Sequence, residues 1–155
     1  MNVELILHQA LFGAISAAGF GILFNVGLRV LPWCAASGLL TLAVRTFCLE
    51  LGASLEGASF AAALAAGLGA RFLSEHTEIS RTALAVAGCI PMVPGSFAAK
   101  AILGFFALTA GGSAGDQAMF ADAALFTLRV LFTTGAIATG LAIPTLLLPS
   151  RQLQP

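Results

Sequence analysis

The chain has 155 residues, of which 59% are hydrophobic and only 9% are charged, and its seven basic and seven acidic side chains cancel. A soluble domain carries roughly 25% charged residues, so this composition excludes soluble enzymes and predicts an all-α integral membrane protein. Because the net charge is zero, no basic field would attract nucleic acid. We therefore expect binding within the lipid bilayer, in a single transmembrane domain covering residues 1–155.

The first three apolar runs each have the length of a membrane-spanning helix, which needs about 20 residues. They cover Leu5–Leu28, Leu31 to about Leu51, and about Ser54–Leu73, after which a polar loop begins at Ser74. The third run carries small side chains at every fourth position: Ala58, Ala62, Ala66 and Ala70. Because such a row allows close helix packing, we expect a helix from a partner chain against it.

The next apolar stretch, residues 79–110, is too long for one straight crossing. Its 32 or so residues would rise about 48 Å as a helix, whereas the hydrocarbon core is about 30 Å thick. Two prolines and a glycine lie in its middle. We therefore predict a discontinuous fourth span that ends near Ile90, unwinds over Pro91–Gly95 and restarts at Ser96.

A last helix, from about Met119 to Leu148, completes five transmembrane elements. Orientation follows from the positive-inside rule, which counts Lys and Arg near the ends of spans. With five crossings, the basic residues on one side are Arg29, Arg71, Arg81 and Arg151, and the acidic residues on the other are Glu4, Glu50, Glu56 and Asp116. This asymmetry predicts an external N-terminus and a cytoplasmic C-terminus.

The segment Ile90–Ser96 is the most specific chemical feature, because irregular backbone at membrane depth persists only where it is buried or lines a cavity. Pro91 and Pro94 remove N–H donors and leave carbonyls of the first half-helix free for an ammonium or a cation. Gly95 supplies a positive φ or a close approach. Ser96, as N-cap, would start a half-helix whose exposed N–H groups suit a carboxylate. The alternative is a proline kink stabilised by neighbouring helices.

Three cations lie within or beside the predicted spans. Lys100 follows Ser96 by four residues and so shares its helical face, where it would bind substrate; alternatively its side chain extends to the outer interface. Arg45 either pairs with a carboxylate or reaches the surface near Glu50. Arg129, at the start of the last span, leaves the same two interpretations open.

No catalytic residue, metal site or cofactor is predicted. Residues Gly111–Gly115 match the G-x-S-x-G pattern, but a nucleophile elbow needs a preceding strand and a reachable histidine. The three cysteines, Cys34, Cys48 and Cys89, lack metal-type spacing. We interpret them as small buried hydrophobic residues.

Four segments carry a family resemblance: GFGILFNVGLRVLPW at Gly19–Trp33, EGASF at Glu56–Phe60, IPMVPGS at Ile90–Ser96 and GLAIP at Gly140–Pro144. In this order the chain resembles YjjB-like small membrane subunits, which are similar to the C-terminal half of the threonine/serine exporter (ThrE) family. The resemblance implies an inner-membrane exporter of small amino acids or related carboxylates such as succinate. It also implies a larger YjjP-like partner subunit, and it assigns no chemical role to Arg45 or Lys100.

Two hypotheses follow. In the first, the chain is half of a two-component secondary exporter whose broken span forms a midplane carboxylate site, and rocking against the partner alternates access. In the second, it is a non-transporting membrane scaffold. Substitutions of Gly95 and Ser96 would separate them, because only an exporter would lose flux while its complex stays intact.

Overall fold

A computed structural model of the chain describes residues 2–76, 81–109 and 116–147, and most of these residues are helical. The helices are α1 (Val3–Leu23), α2 (Leu31–Glu50), α3 (Leu55–His76), α4 (Arg81–Cys89), α5 (Gly95–Thr109) and α6 (Asp116–Leu147), with a 3-10 turn at Ile90–Met92. In these ranges α1, α2, α3 and α6 are long and apolar enough to cross a membrane, and α4 with α5 qualifies as one interrupted span. The predicted all-α architecture with a discontinuous fourth element is confirmed.

Three helix ends differ from their predicted positions by three residues or more, one of them the start of α6, which lies at Asp116 rather than at about Met119. α1 ends at Leu23 rather than Leu28, because Asn25 takes a positive φ of 54° that stops the helix. The N–H of Val26 then donates to the carbonyl of Gly21 at 2.9 Å, which is the closing bond of a Schellman motif. α3 continues to His76, past the loop predicted from Ser74.

α1 and α2 are antiparallel and cross where a glycine of each meets the other. A Cβ atom on Gly13 would lie 2.6 Å from the carbonyl oxygen of Gly38, and one on Gly38 would meet the carbonyl of Gly13 still more closely. Such glycines let two helix backbones approach closely without lipid between them. This crossing fixes the distance between the first two helices.

α2 and α4 run in the same direction, as their successive contacts indicate. The Ser37 hydroxyl donates to the Leu84 carbonyl at 2.9 Å, and a Cβ on Gly88, one turn later, would lie 3.0 Å from Thr41 Oγ1. Leu42 of α2 then packs in one buried cluster with Met92 of the 3-10 turn. The two helices therefore advance together toward the break.

The C-terminal part of α6 runs parallel to α3. A Cβ on Gly140 would lie 2.7 Å from the Phe60 carbonyl oxygen, and one on Gly67 would lie 2.8 Å from Pro144 Cγ. If α4 and α5 formed a re-entrant loop, the chain would return to its starting side and α6 would run antiparallel to α3. The parallel pairing of α3 with the C-terminal part of α6 is the direction expected if the chain crosses the membrane once between them, as the predicted broken span requires.

The alanine row of α3 lies inside the chain, so the expectation of a partner helix against it is wrong. Its four residues have no exposed surface: Ala58, Ala62, Ala66 and Ala70. Ala62 and Ala66 pack with Leu42, Met92 and Ile137. Their small side chains let α3 approach the other helices of the same subunit.

The described residues divide into two compact units. The first comprises α1 to α4, the 3-10 turn and α6 from Ala136 onward, and the second comprises residues Val93–Gly135. One boundary falls at the helix break and the other within α6. That the whole of residues 1–155 behaves as a single transmembrane domain stays a prediction.

Candidate functional site

The helix break is shorter than predicted: the second half-helix begins at Gly95, and Pro94 rather than Ser96 takes the N-cap position. The N–H groups of Phe97 and Ala98 both donate to the Pro94 carbonyl at 3.1 Å, and the Gly95 N–H donates to the Val93 carbonyl at 2.8 Å. Three of the first four N–H groups of α5 are therefore satisfied within the chain. This end of the helix offers a carboxylate fewer free donors than the sequence predicted.

Gly95 also differs from expectation. Its φ is not positive, and a Cβ atom built on it would have no neighbour within 4 Å, so the described part of the chain supplies no steric reason for a glycine. Gly95 and Ser96 are both exposed, whereas Pro94 is buried and Pro91 is half-buried. The open space at Gly95 leaves its backbone accessible to a molecule outside this chain.

Two cations and two aromatic rings join α5 to α6, and we name them the cation–aromatic cluster: Phe97, Lys100, Phe126 and Arg129. The two rings stack, with centroids 5.9 Å apart and planes 20° apart. Lys100 Nζ lies 5.4 Å from the centroid of the Phe126 ring, and Arg129 Cζ lies 5.5 Å from that of Phe97. Each helix thus places its cation over the aromatic ring of the other.

The two phenylalanines were missed in the sequence, although a signal for them exists there. Each cation follows its own helix's phenylalanine by three residues, as FAAK at residues 97–100 and FTLR at residues 126–129. On a helix this spacing places both side chains on one face. The repeated pattern in two helices of one hairpin would have indicated that they cross-pack.

The cluster lies several turns away from the C-terminal end of α5 and from the N-terminal end of α6. Lys100 lies nine residues before the end of α5 and Arg129 lies 13 residues after the start of α6, which are rises of about 14 and 20 Å. These rises are about half and about two-thirds of a hydrocarbon core about 30 Å thick. A second ring pair, Phe105 with Phe120, lies between the cluster and these helix ends. Lys100 Nζ therefore stays beside the Phe126 ring.

Arg45 lies apart from the cation–aromatic cluster. It lines a cavity of about 270 Å³ between the start of α1 and the end of α2. Its Nε is buried and has no hydrogen-bond partner in the described chain. Because α2 and α4 advance together, Arg45, one turn after Thr41, is level with the 3-10 turn that contains Pro91. Arg45 and Pro91 both lie in the first of the two compact units.

The remaining predicted site residues, Pro94, Gly95, Ser96 and Lys100, fall in the second unit. In the described ranges no group of three or more His, Cys, Asp or Glu side chains is placed to hold a metal ion. Cys34 and Cys89 are buried, and Cys48 is half-buried. The motif at Gly111–Gly115 lies outside the described residues.

Comparison with known proteins gives a family match over most of the chain. Residues 9–147 match the family described as "Threonine/Serine exporter, ThrE". A curated protein of Haemophilus influenzae, named only "Uncharacterized protein", is 34% identical over 142 residues, which are 92% of this chain and 47% of that protein. The chain thus spans about half the length of the curated relative it matches. No solved structure matches it.

Proposed function

This chain belongs to the threonine/serine exporter (ThrE) family, and we propose that it is one membrane subunit of a two-component secondary exporter for threonine, serine or related small carboxylates such as succinate. A larger YjjP-like membrane subunit is the proposed partner. The length of the curated relative supports it, because the half that this chain does not match is long enough to supply a second component. The complex would reside in the inner membrane with the N-terminus outside and the C-terminus in the cytoplasm, and would act as a transporter rather than an enzyme.

The cation–aromatic cluster beside the helix break carries this proposal. Lys100 and Arg129 contact ring faces, and a ring attracts a cation without neutralising its charge. A cation at depth in a bilayer is costly and marks substrate or ion paths. A substrate carboxylate that passes between the two cations would neutralise one of them at a time.

The broken span supplies the rest of the proposed site. Ser96 lies one turn before Lys100 on the same face of α5, and both side chains are exposed. Pro91 and Pro94 keep the span from closing into a continuous helix, and Gly95 leaves room for substrate to approach the backbone. Pro94, Gly95, Ser96 and Lys100, which all lie in the second unit, form the proposed carboxylate site, and Arg45 belongs to a separate site that is argued below.

Alternating access requires one part of a transporter to move against another. We propose that this subunit rocks against its partner subunit, so that the carboxylate site faces each side of the membrane in turn.

Export of radiolabelled threonine, serine and succinate tests the proposal, in cells that lack this chain, the partner or both. Each single deletion should abolish export. Lys100→Met should reduce succinate export more than threonine or serine export, because a dicarboxylate has a second charge to be held. Lys100→Arg, which retains the cation, is the matched control.

Membrane abundance and co-purification with the partner must be measured for every variant. Wild-type export of all three substrates by both Lys100→Met and Arg129→Gln would refute the proposed site. A chain that is only a scaffold would lose the complex on deletion, while its point variants at this site would transport normally.

A further inference from the structure

We infer that the cavity between α1 and α2 is a second binding site, which holds a small α-amino acid zwitterion with its carboxylate on Arg45 and its ammonium on Glu50. The inference rests on the proposed function only in that a small amino acid passes through the protein. This second binding site contains none of the residues of the cation–aromatic cluster. Its polar lining residues are Gln9, Arg45, Thr46 and Glu50.

The size of the cavity suits a small metabolite. Its volume of about 270 Å³ lies just below the range of about 300 to 1,000 Å³ that is typical of sites for drug-sized ligands. A short amino acid fits this space.

Arg45 indicates the charge of one end of the ligand. The side chain is half-buried, and its Nε is shielded from solvent without a hydrogen-bond partner in the described chain. A buried donor that lacks a partner is destabilising, so a bound acceptor would be favoured there. The guanidinium group offers a planar fork of donors whose geometry matches a carboxylate.

Glu50 indicates the charge of the other end. It lines the same cavity, and its Oε2 accepts a 2.9 Å hydrogen bond from the backbone N–H of Asn2. A carboxylate can accept about four hydrogen bonds, so this one leaves capacity for an ammonium group. Glu50 would also repel a second carboxylate, and the cavity should therefore prefer a zwitterion to succinate.

The remaining polar lining residues suit a hydroxylated side chain. Thr46 follows Arg45 directly on α2, and Gln9 faces the cavity from α1. A hydroxyl and an amide can each donate to or accept from a ligand hydroxyl. Leu42 lines the cavity and also belongs to the buried cluster that contains Met92 of the 3-10 turn.

Protection of an introduced cysteine from labelling tests this site without measuring transport. In a chain whose native cysteines are replaced by alanine, Leu49→Cys lines the cavity, whereas Leu51→Cys, with Leu51 67% exposed, does not. The complex in permeabilised vesicles is labelled with a maleimide in the presence or absence of threonine. Threonine should slow labelling of Leu49→Cys several-fold and leave that of Leu51→Cys unchanged.

Substitutions of the charged residues then test each end of the ligand. Arg45→Gln should abolish protection by threonine, and Arg45→Lys should retain part of it. With Glu50 present, 3-hydroxybutyrate, which is threonine without its amino group, should protect less well than threonine. In Glu50→Gln the two compounds should protect equally.

An unchanged labelling rate of Leu49→Cys with threonine, or full protection in Arg45→Gln, would overturn the inference. Binding of radiolabelled threonine to the complex with all native cysteines, compared with its Arg45→Gln variant, decides the matter if the cysteine-free chain does not fold. The outcome is independent of the proposed export site. Normal export by Lys100→Met and Arg129→Gln would refute the proposed export site. It would not change the expected effect of threonine on the labelling of Leu49→Cys, which tests the cavity separately.

Discussion

The crossing of α1 and α2 yields a stability prediction whose size follows from the geometry. A carbon atom in close contact with a carbonyl oxygen lies about 3.3 Å from it, whereas a Cβ on Gly13 would lie 2.6 Å from the Gly38 oxygen. Gly13→Ala would therefore force the helices apart by about 0.7 Å at this point. Gly38→Ala would displace them further, because its Cβ would also lie 2.5 Å from the Cβ of Ala17.

We expect each substitution to lower the free energy of unfolding by about 1–3 kcal/mol, the usual cost of overpacking. The double variant should lose less than the two single losses combined, because one separation of the helices relieves both clashes. Gly19→Ala is the matched control on α1, since a Cβ there has no neighbour within 4 Å. It should instead stabilise the protein by about 0.5–1 kcal/mol through helix propensity.

The measurement is unfolding by SDS titration in mixed micelles, followed by the fluorescence of Trp33, the sole tryptophan of the chain, at the start of α2. Each variant is compared with the native chain under the same conditions. If Gly13→Ala and Gly38→Ala unfold at the same SDS fraction as Gly19→Ala, the glycines do not set the distance between α1 and α2. Strict additivity of the double variant would show that the two clashes are relieved separately.

Three further outcomes are expected. Asn25→Val should destabilise the chain by about 1–3 kcal/mol in the same titration, because a β-branched side chain is strained at positive φ, and Asn25→Gly should not. Thr133→Val should raise the free energy of unfolding by up to about 1 kcal/mol, since the buried Thr133 Oγ1 has no hydrogen-bond partner in the described chain. A lower free energy of unfolding would instead indicate that the hydroxyl has a hydrogen-bond partner outside the described residues. A thiol reagent should reach Gly27→Cys only from the cytoplasm and Ala53→Cys only from outside, and the reverse pattern would invert the proposed orientation.

The number of crossings and the broken span could be predicted because both depend on local properties. The apolar length must match the bilayer thickness, and a proline interrupts a helix wherever it occurs. The end of α1 could not be placed the same way, since residues 24–28 carry no charge and continue the apolar run without marking the turn. Asn25 is the one polar side chain among these residues, but residue type alone does not reveal its positive φ.

Contacts between helices were beyond the sequence for a different reason. The alanine row of α3 shows that something packs closely against it, but small size does not say whether the neighbour belongs to the same chain. Likewise the sequence shows that Lys100 and Arg129 are charges within or beside apolar spans. That each cation contacts a phenylalanine ring of the other helix depends on how α5 and α6 align. Residue type thus predicts that a side chain needs a close neighbour or a partner for its charge. Only the packing of the helices shows which residue supplies it.

In the proposed function, a carboxylate must leave the cation–aromatic cluster as well as bind to it. A ring attracts a cation without neutralising its charge, so each ring would reduce the free energy that its cation gains from a bound carboxylate. Without Phe97 and Phe126, the two cations would hold an anion more tightly. The rings would therefore keep the occupancy weak enough for a substrate to leave, which the proposed export requires.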